Sequence, residues 1–407
     1  MGIGDRFGRQ GSAQLRAIMK AREMGVAIDP VWNKSHREHE ITRTTPDEQR
    51  LRADEAVKRC DYSGRYFVDA DHIGMGTVDR FLEYCDFFTL DVADSLDAPS
   101  DDSSIDDFIT SHRDLVGSHH IPGIERPLEI WSDELRRIAG RVLAAVAEAG
   151  RIYRSIESRK GDDSFITEVS MDETDSPQTP VELLVILAAV ADEKIPAQTI
   201  APRFSGRFNK GVDYVGDVNQ FAREFEADLA VIDFAVSRFD LPCNLKLSIH
   251  SGSDKFSIYP AVGAGLKKFD AGVHLKTAGT TWLEELIGLA ESEGTGLLIA
   301  REIYRASFAR HADLIKPYNT VVDIHIDRLP PPDDVDRWSG ERFANALRHD
   351  PSNPLYNQDL RQLLHVGYRV AADMGARYLD ALEEFDSIIS EQVYDNIFDR
   401  HIRRLFF

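Results

Sequence analysis

NLKLSIHSGSDKFSIYP, residues 244–260, opens as a strand: Leu245, Leu247 and Ile249 recur at the period of two that a pleated backbone imposes. It then delivers His250, Ser251, Ser253, Asp254 and Lys255 in one burst. An imidazole, hydroxyls, a carboxylate and an amine thus stand where a buried strand ends. Similar runs recur along the chain, and strands are expected at 66–70 (YFVDA), 87–90 (FFTL), 165–171 (FITEVSM), 197–201 (AQTIA), 244–250, 272–276 (GVHLK) and 320–326 (TVVDIHI). Helical segments lie between them. TPVELLVILAAVADEK carries a Thr179 cap and Pro180 in its first turn, DVNQFAREFEADLAVIDFAVSRF starts at an Asp217 cap, and TTWLEELIGLAESEG stops at Gly294. Further helices are expected at about 125–158, 340–348 and 357–400.

Strand–helix alternation predicts parallel strands, in an open doubly wound sheet or a closed barrel. GIGDRFG and GMGTVD fit a dinucleotide-binding GxGxxG poorly. Polar residues instead crowd the C-terminal ends of several strands, which is where a barrel assembles its site. The expectation is an α/β fold: one (β/α)8 TIM-type barrel domain over 1–407, with an acidic insertion at 91–125 and a helical C-terminal extension at 340–407.

With 407 residues, 43% hydrophobic and 29% charged, the chain has the composition of a soluble globular protein. No apolar run is long enough to span a bilayer, and the first residues lack the apolar region of a secretory signal. Cys60, Cys85 and Cys243 are too scattered for disulfides or thiolate zinc, so a reducing cytoplasm is expected. A net charge of −21 argues against a nucleic-acid partner. Much of the acid falls in 91–107, which reads as a solvated loop. Only 12 of the 48 basic residues are lysines, and six of those lie between Lys210 and Lys276.

The strand ends supply the chemistry. They carry Asp69, Asp71 and His72; Glu168, Asp172, Glu173 and Asp175; Arg203, Ser205, Arg207, Asn209 and Lys210; Lys246, Ser248 and His250; His274, Lys276 and Thr277; and Asp323, His325 and Asp327. A lone histidine on an apolar strand is more often a core residue than a ligand. Three of them, His72, His250 and His274, each on its own strand among acids and lysines, suit a divalent Zn, Mn, Ni or Fe ion with open positions; His325 competes. Asp71 and His72 are sequence neighbours, so an extended strand points them to opposite sides, and Asp69 is the rival acid. Arg203, Arg207 and Lys210 form a cationic grip for an anionic ligand; Lys246, Ser251, Asp254, Lys255 and Lys276 are further substrate-binding candidates.

The phrases EVSMDETDSPQTP, IAPRFSGRFNKGVDYVGD, KLSIHSGSDKFSIYP, HLKTAGTTWLEE and LRHDPSNPLYNQDLRQLLHVGYRVA, with GIGDRFG and YFVDADHIG, resemble the tagaturonate/fructuronate epimerase family over nearly the whole chain. The resemblance implies a metal-dependent enzyme of hexuronate breakdown that inverts C4 of a small-molecule sugar acid, with no nucleic acid or membrane. It implies Asp71 as proton acceptor, Glu173 as proton donor and His72, His250 and His274 as metal ligands, with His365 a competitor for the last place. A ketohexose 4-epimerase, a metal-dependent aldolase or isomerase on sugar acids, and a non-catalytic sugar-acid sensor are the alternatives. The uronate-or-ketose choice, the metal and homo-oligomerisation stay open at this point.

Overall fold

The computed structural model describes residues 1–407 except 93, 94, 96, 97, 99, 163, 173, 175 and 251–253. Its strands are β1 (Gly2–Gly4), β2 (Val31–Ser35), β3 (Phe67–Ile73), β4 (Phe87–Asp91), β5 (Gly117–His119), β6 (Leu128–Ile130), β7 (Ile166–Ser170), β8 (Thr199–Ala201), β9 (Lys246–His250) and β10 (Val273–Lys276). β5 and β6 form a separate antiparallel pair. The other eight make one parallel sheet in the order β1-β2-β3-β4-β7-β8-β9-β10. Its edges meet: Ile3 bridges Ala278 in parallel, and the Ala278 N–H donates to the Gly2 carbonyl at 2.7 Å. The sheet is therefore a nearly closed barrel of the (β/α)8 type, as the strand-end pattern predicts.

The closing seam explains why β1 leaves no apolar signature. A Cβ on Gly2 would lie 2.5 Å from Asn33 Oδ1 and 3.2 Å from the Leu275 carbonyl oxygen, so glycine is required where the edges approach. β2 (VWNKS) is hidden for another reason: Asn33 points inward to a buried carboxylate, reversing the usual apolar-in pattern. The expected strand at 320–326 does not form. Those residues turn and then run irregularly into a single 3-10 turn at Ile326–Arg328, so β1 and β2 complete the eight instead. The end of the acidic stretch, from 102 on, is helical rather than a solvated loop. Asp101 accepts the Ser104 N–H at 2.9 Å and caps a helix, Asp102–Ser111, that buries Ile105 and Phe108.

Outward faces of the strands, including Val68, Phe88, Val169, Leu247 and Leu275, pack under the surrounding helices. Each such side chain contributes about 1.5–3 kcal/mol of burial. The helices after β10 build a second apolar cluster, from Trp282 through Leu364 to Val393. The barrel interior is the reverse: Asn33, Asp69, Thr89, Glu168, Thr199, Ser248, His274 and Lys276 are all buried. Burying such groups is costly unless each finds partners, so the interior is fixed by its hydrogen bonds. No described helix is long and apolar enough to cross a membrane.

Candidate active site

The site begins with a break in β3. Ala70 pairs with Phe88 but Ile73 pairs with Leu90, so β3 carries one residue more than β4 over this stretch. The extra residue is taken up at His72, whose φ of +54° lies in the left-handed region. That conformation costs a β-region residue about 1 kcal/mol. It also removes the obstacle set by strand alternation, because Asp71 and His72 now reach each other: His72 Nδ1 and Asp71 Oδ1 are 2.6 Å apart.

His72, Asp172 and His250 converge, with one ligand atom from each lying within 4.8 Å of the others. The two rings meet edge to face, centroids 5.2 Å apart. His72 Nε2 faces Asp172 Oδ1 at 3.6 Å, and His250 Nδ1 faces Asp172 Oδ2 at 3.1 Å. Among the described residues neither ring nitrogen makes an aligned hydrogen bond, and Asp172 is the carboxylate that faces both. The opposite nitrogens are engaged: His72 Nδ1 by Asp71, and His250 Nε2 by Glu168 Oε1 at 2.8 Å. Two imidazoles aimed at one carboxylate, each steadied from behind by another carboxylate, are a donor set that could hold a divalent ion. Burial opposes charge on His250, yet Asp172 and Glu168 outweigh it and raise the ring to about 9. The cluster therefore collects positive charge, and a divalent cation can take the place of the ring protons.

Below this triad lies a second knot. Lys276 Nζ is 2.8 Å from both Asp69 Oδ2 and Asp71 Oδ1 and 3.4 Å from Glu168 Oε1, and it also donates to Thr89 Oγ1. Burial works against its charge, but the three carboxylates hold it protonated. Burial pushes Asp69 up to about 6; Asn33 and Thr89 donate to it at 2.8 Å and 3.1 Å. Asp71 is held well below the usual carboxylate range, with Lys276 and His72 overcoming its burial. His274, expected as a ligand, sits deeper on Glu168 Oε2 at 2.7 Å and against the Phe87 ring. Burial pushes it down to about 4, which keeps it neutral. The third member of the converging group is Asp172, with Ser170 donating to its Oδ1 at 2.6 Å, while His274 Nε2 is likewise buried without a hydrogen bond among the described residues.

The remaining candidates scatter. Lys246 begins β9, at the barrel end opposite His250, and donates to the Asn244 carbonyl at 3.0 Å; that position takes it out of the substrate site. Asp254 is fully buried among Arg361 (2.8 Å), His401 (3.1 Å) and His349 (3.3 Å), and Lys255 donates to the Asn209 and Val212 carbonyls at 2.9 Å and 2.7 Å. Both anchor loops rather than face the mouth. Arg203 donates to the Thr174 carbonyl, tying the β8 loop to the segment after β7. Arg207 is half exposed and 3.5 Å from Asp323. Lys210 stacks over Tyr318, with Nζ 5.7 Å from the ring centroid. His325 is 3.4 Å from Asp359, and His365 is a buried neutral ring; neither joins the triad. Glu173 and Ser251 lie outside the described residues.

The model of the family described as UxaE: tagaturonate epimerase matches residues 1–406. A tagaturonate/fructuronate epimerase of Thermotoga maritima is 28% identical over 98% of this chain and 79% of its own length. A glycerol-complexed crystal structure of the fructuronate-tagaturonate epimerase UxaE from Cohnella laeviribosi superposes with a TM-score of 0.81 at 25% identity, over 99% of this chain and 80% of that one. A probable tagatose 6-phosphate kinase from Sinorhizobium meliloti 1021 shares the fold alone, at 10% identity and TM-score 0.52 over 99% of both chains. The match across essentially every residue places this chain in the UxaE tagaturonate epimerase family of isomerases.

Proposed function

We propose that this chain interconverts D-tagaturonate and D-fructuronate by inverting C4, with a divalent Zn, Mn, Ni or Fe ion held by His72, Asp172 and His250. The observation that carries the reading is the pair of buried ring nitrogens converging on Asp172 at a strand-end mouth, in a chain of this family. A bound ion would supply Lewis acidity toward the sugar oxygens.

The reacting carbon dictates the route. C4–H lies β to the C2 ketone, so removing that proton leaves no stabilised carbanion. Breaking C3–C4 does: the C4 hydroxyl loses its proton, C4 becomes an aldehyde, and the bonding pair passes to C3 as an enediolate conjugated with C2. The aldehyde turns, C3 attacks its other face, and the C4 oxygen regains a proton. Asp71, the acid that the family resemblance names and that Lys276 and His72 keep ionised, accepts the first proton. Its contacts with His72 and Lys276 both fall on Oδ1. Glu173, the donor that the family resemblance implies, returns the proton. Each such group contributes about 10²–10⁴-fold. Lys276, held charged by three carboxylates, offsets the negative charge that develops at C2 and C3. The same charge makes it a poor Schiff-base nucleophile, so borohydride trapping should fail.

Substrate deuterated at C4 tests the route. The label should stay on C4 through inversion, and washout into solvent would eliminate carbon–carbon cleavage as the path.

A further inference from the structure

Three cations gather beyond the C-terminal ends of β1, β2 and β8. They are Arg6, Arg37 and Lys210, and they converge on two tyrosines whose hydroxyls are 3.0 Å apart, Tyr318 and Tyr368. Arg6 Cζ lies 4.4 Å from the Tyr368 centroid; Arg37 Cζ lies 4.8 Å, and Lys210 Nζ 5.7 Å, from that of Tyr318. The placement is fixed by backbone. The Lys210 N–H donates to the Val321 carbonyl at 2.8 Å, and Lys34 Nζ donates to the Arg6 carbonyl at 2.7 Å. All three cations follow the C-terminal ends of barrel strands, the side on which Asp71 and His250 lie.

The charges do not balance. Arg6 has Glu38 at 2.9 Å, but Arg37 and Lys210 have no carboxylate within ion-pair distance among the described residues. Arg37 is exposed, where a lone cation is common, but Lys210 is partly buried, and its lack of a carboxylate calls for a reason. Burial and the neighbouring Arg6 push the Lys210 ammonium down, which marks a charge with too little compensation. Ser35, two residues before Arg37, pairs with Asp71 across β2 and β3, so the cluster rises beside the reacting centre. The cavity of about 530 Å³ lined by Arg348, Arg400 and Arg404 is no rival, because Asp213, Glu284, Asp350 and Asp395 share its wall.

We propose that Arg6, Arg37 and Lys210 form the subsite that receives the carboxylate of the sugar acid, and so set the preference for a uronate over a neutral ketose. Arg6, tethered by Glu38, orients the group, while Lys210 and Arg37 supply the missing counter-charge. The inference rests on the sugar-acid reading above.

Calorimetric titration of the metal-loaded protein tests it with two unreactive ligands: D-altronate, the reduced form of tagaturonate, and neutral D-altritol. Wild type should prefer the acid. Lys210→Met and Arg37→Gln should each weaken D-altronate at least tenfold and narrow that preference. Metal-free Lys210→Met should melt no lower than wild type, since it removes an uncompensated cation. The proposal is overturned if wild type does not prefer the acid, if both variants hold it within threefold of wild type, or if both ligands weaken equally. An absence of turnover on tagaturonate would defeat the proposed reaction and leave this binding comparison to decide the subsite.

Discussion

Asp172 is the residue on which the site turns, because it joins two rings that no other described group bridges. Asp172→Asn keeps the shape and halves the acceptor character, and it should cut bound divalent metal from about one per chain to a small fraction while lowering kcat by about 10²-fold or more. Metal analysis of the purified variant checks the first part; full metal content would contradict the ligand assignment. A second residue governs behaviour in acid. His39 is buried between Thr44 and Gln49, and burial, with Lys34, pushes it down to about 4. The folded chain keeps it neutral while the unfolded chain protonates it below about 6.5. Its contribution is complete above that pH and is lost as the pH falls toward 4, by up to about 3 kcal/mol. Urea unfolding across this range should show that acid limb, and His39→Gln should flatten it; an unchanged slope would contradict the assignment. Residue types at the strand ends were legible: His72, His250 and Asp172 all stand in the quoted motifs. Their grouping was not, because whether His274 or Asp172 completes the triad depends on depth inside the barrel, which spacing along the chain does not encode.

Elements carry the site by where they stop. The bulge in β3 turns an alternation that separates Asp71 from His72 into one that joins them, and a single left-handed residue suffices. Sequence patterning could pose that conflict but not resolve it, since nothing in YFVDADHIG marks His72 as the break. Helix signals were more readable. Thr179 accepts the Glu182 N–H at 3.2 Å while Glu182 accepts the Thr179 N–H at 2.9 Å, and Pro180 fills the first turn. This box starts helix Pro180–Asp192 just after the segment that holds Asp172. Thr179→Ala should therefore cost about 1 kcal/mol in urea denaturation. A change below a few tenths would mean that tertiary packing alone fixes this helix end. β1 and β2 escaped the pattern because one is a glycine-bound seam and the other points Asn33 inward; TVVDIHI imitated a strand because its β-branched residues alternate without a neighbouring strand to pair with.

At the scale of the molecule, an apolar shell surrounds a polar barrel axis. The C-terminal helices brace one rim: Arg361 and His401 reach Asp254 just beyond the end of β9, and the His401 ring accepts the Gly279 N–H at 3.0 Å beyond β10. The barrel could be read from sequence because its polar residues collect at strand ends. This bracing could not, because residues 254 and 401 are brought together only by the folded chain. The account stands on one claim, that a divalent ion gripped by His72, Asp172 and His250 serves C4 inversion of a hexuronate. Proton NMR of D-tagaturonate incubated with protein of measured metal content tests it most directly, before EDTA, after EDTA and after Mn²⁺, Ni²⁺ or Zn²⁺ is returned. The account predicts D-fructuronate that appears, ceases with the metal and reappears with its return; undiminished conversion by protein shown to be metal-free would contradict it.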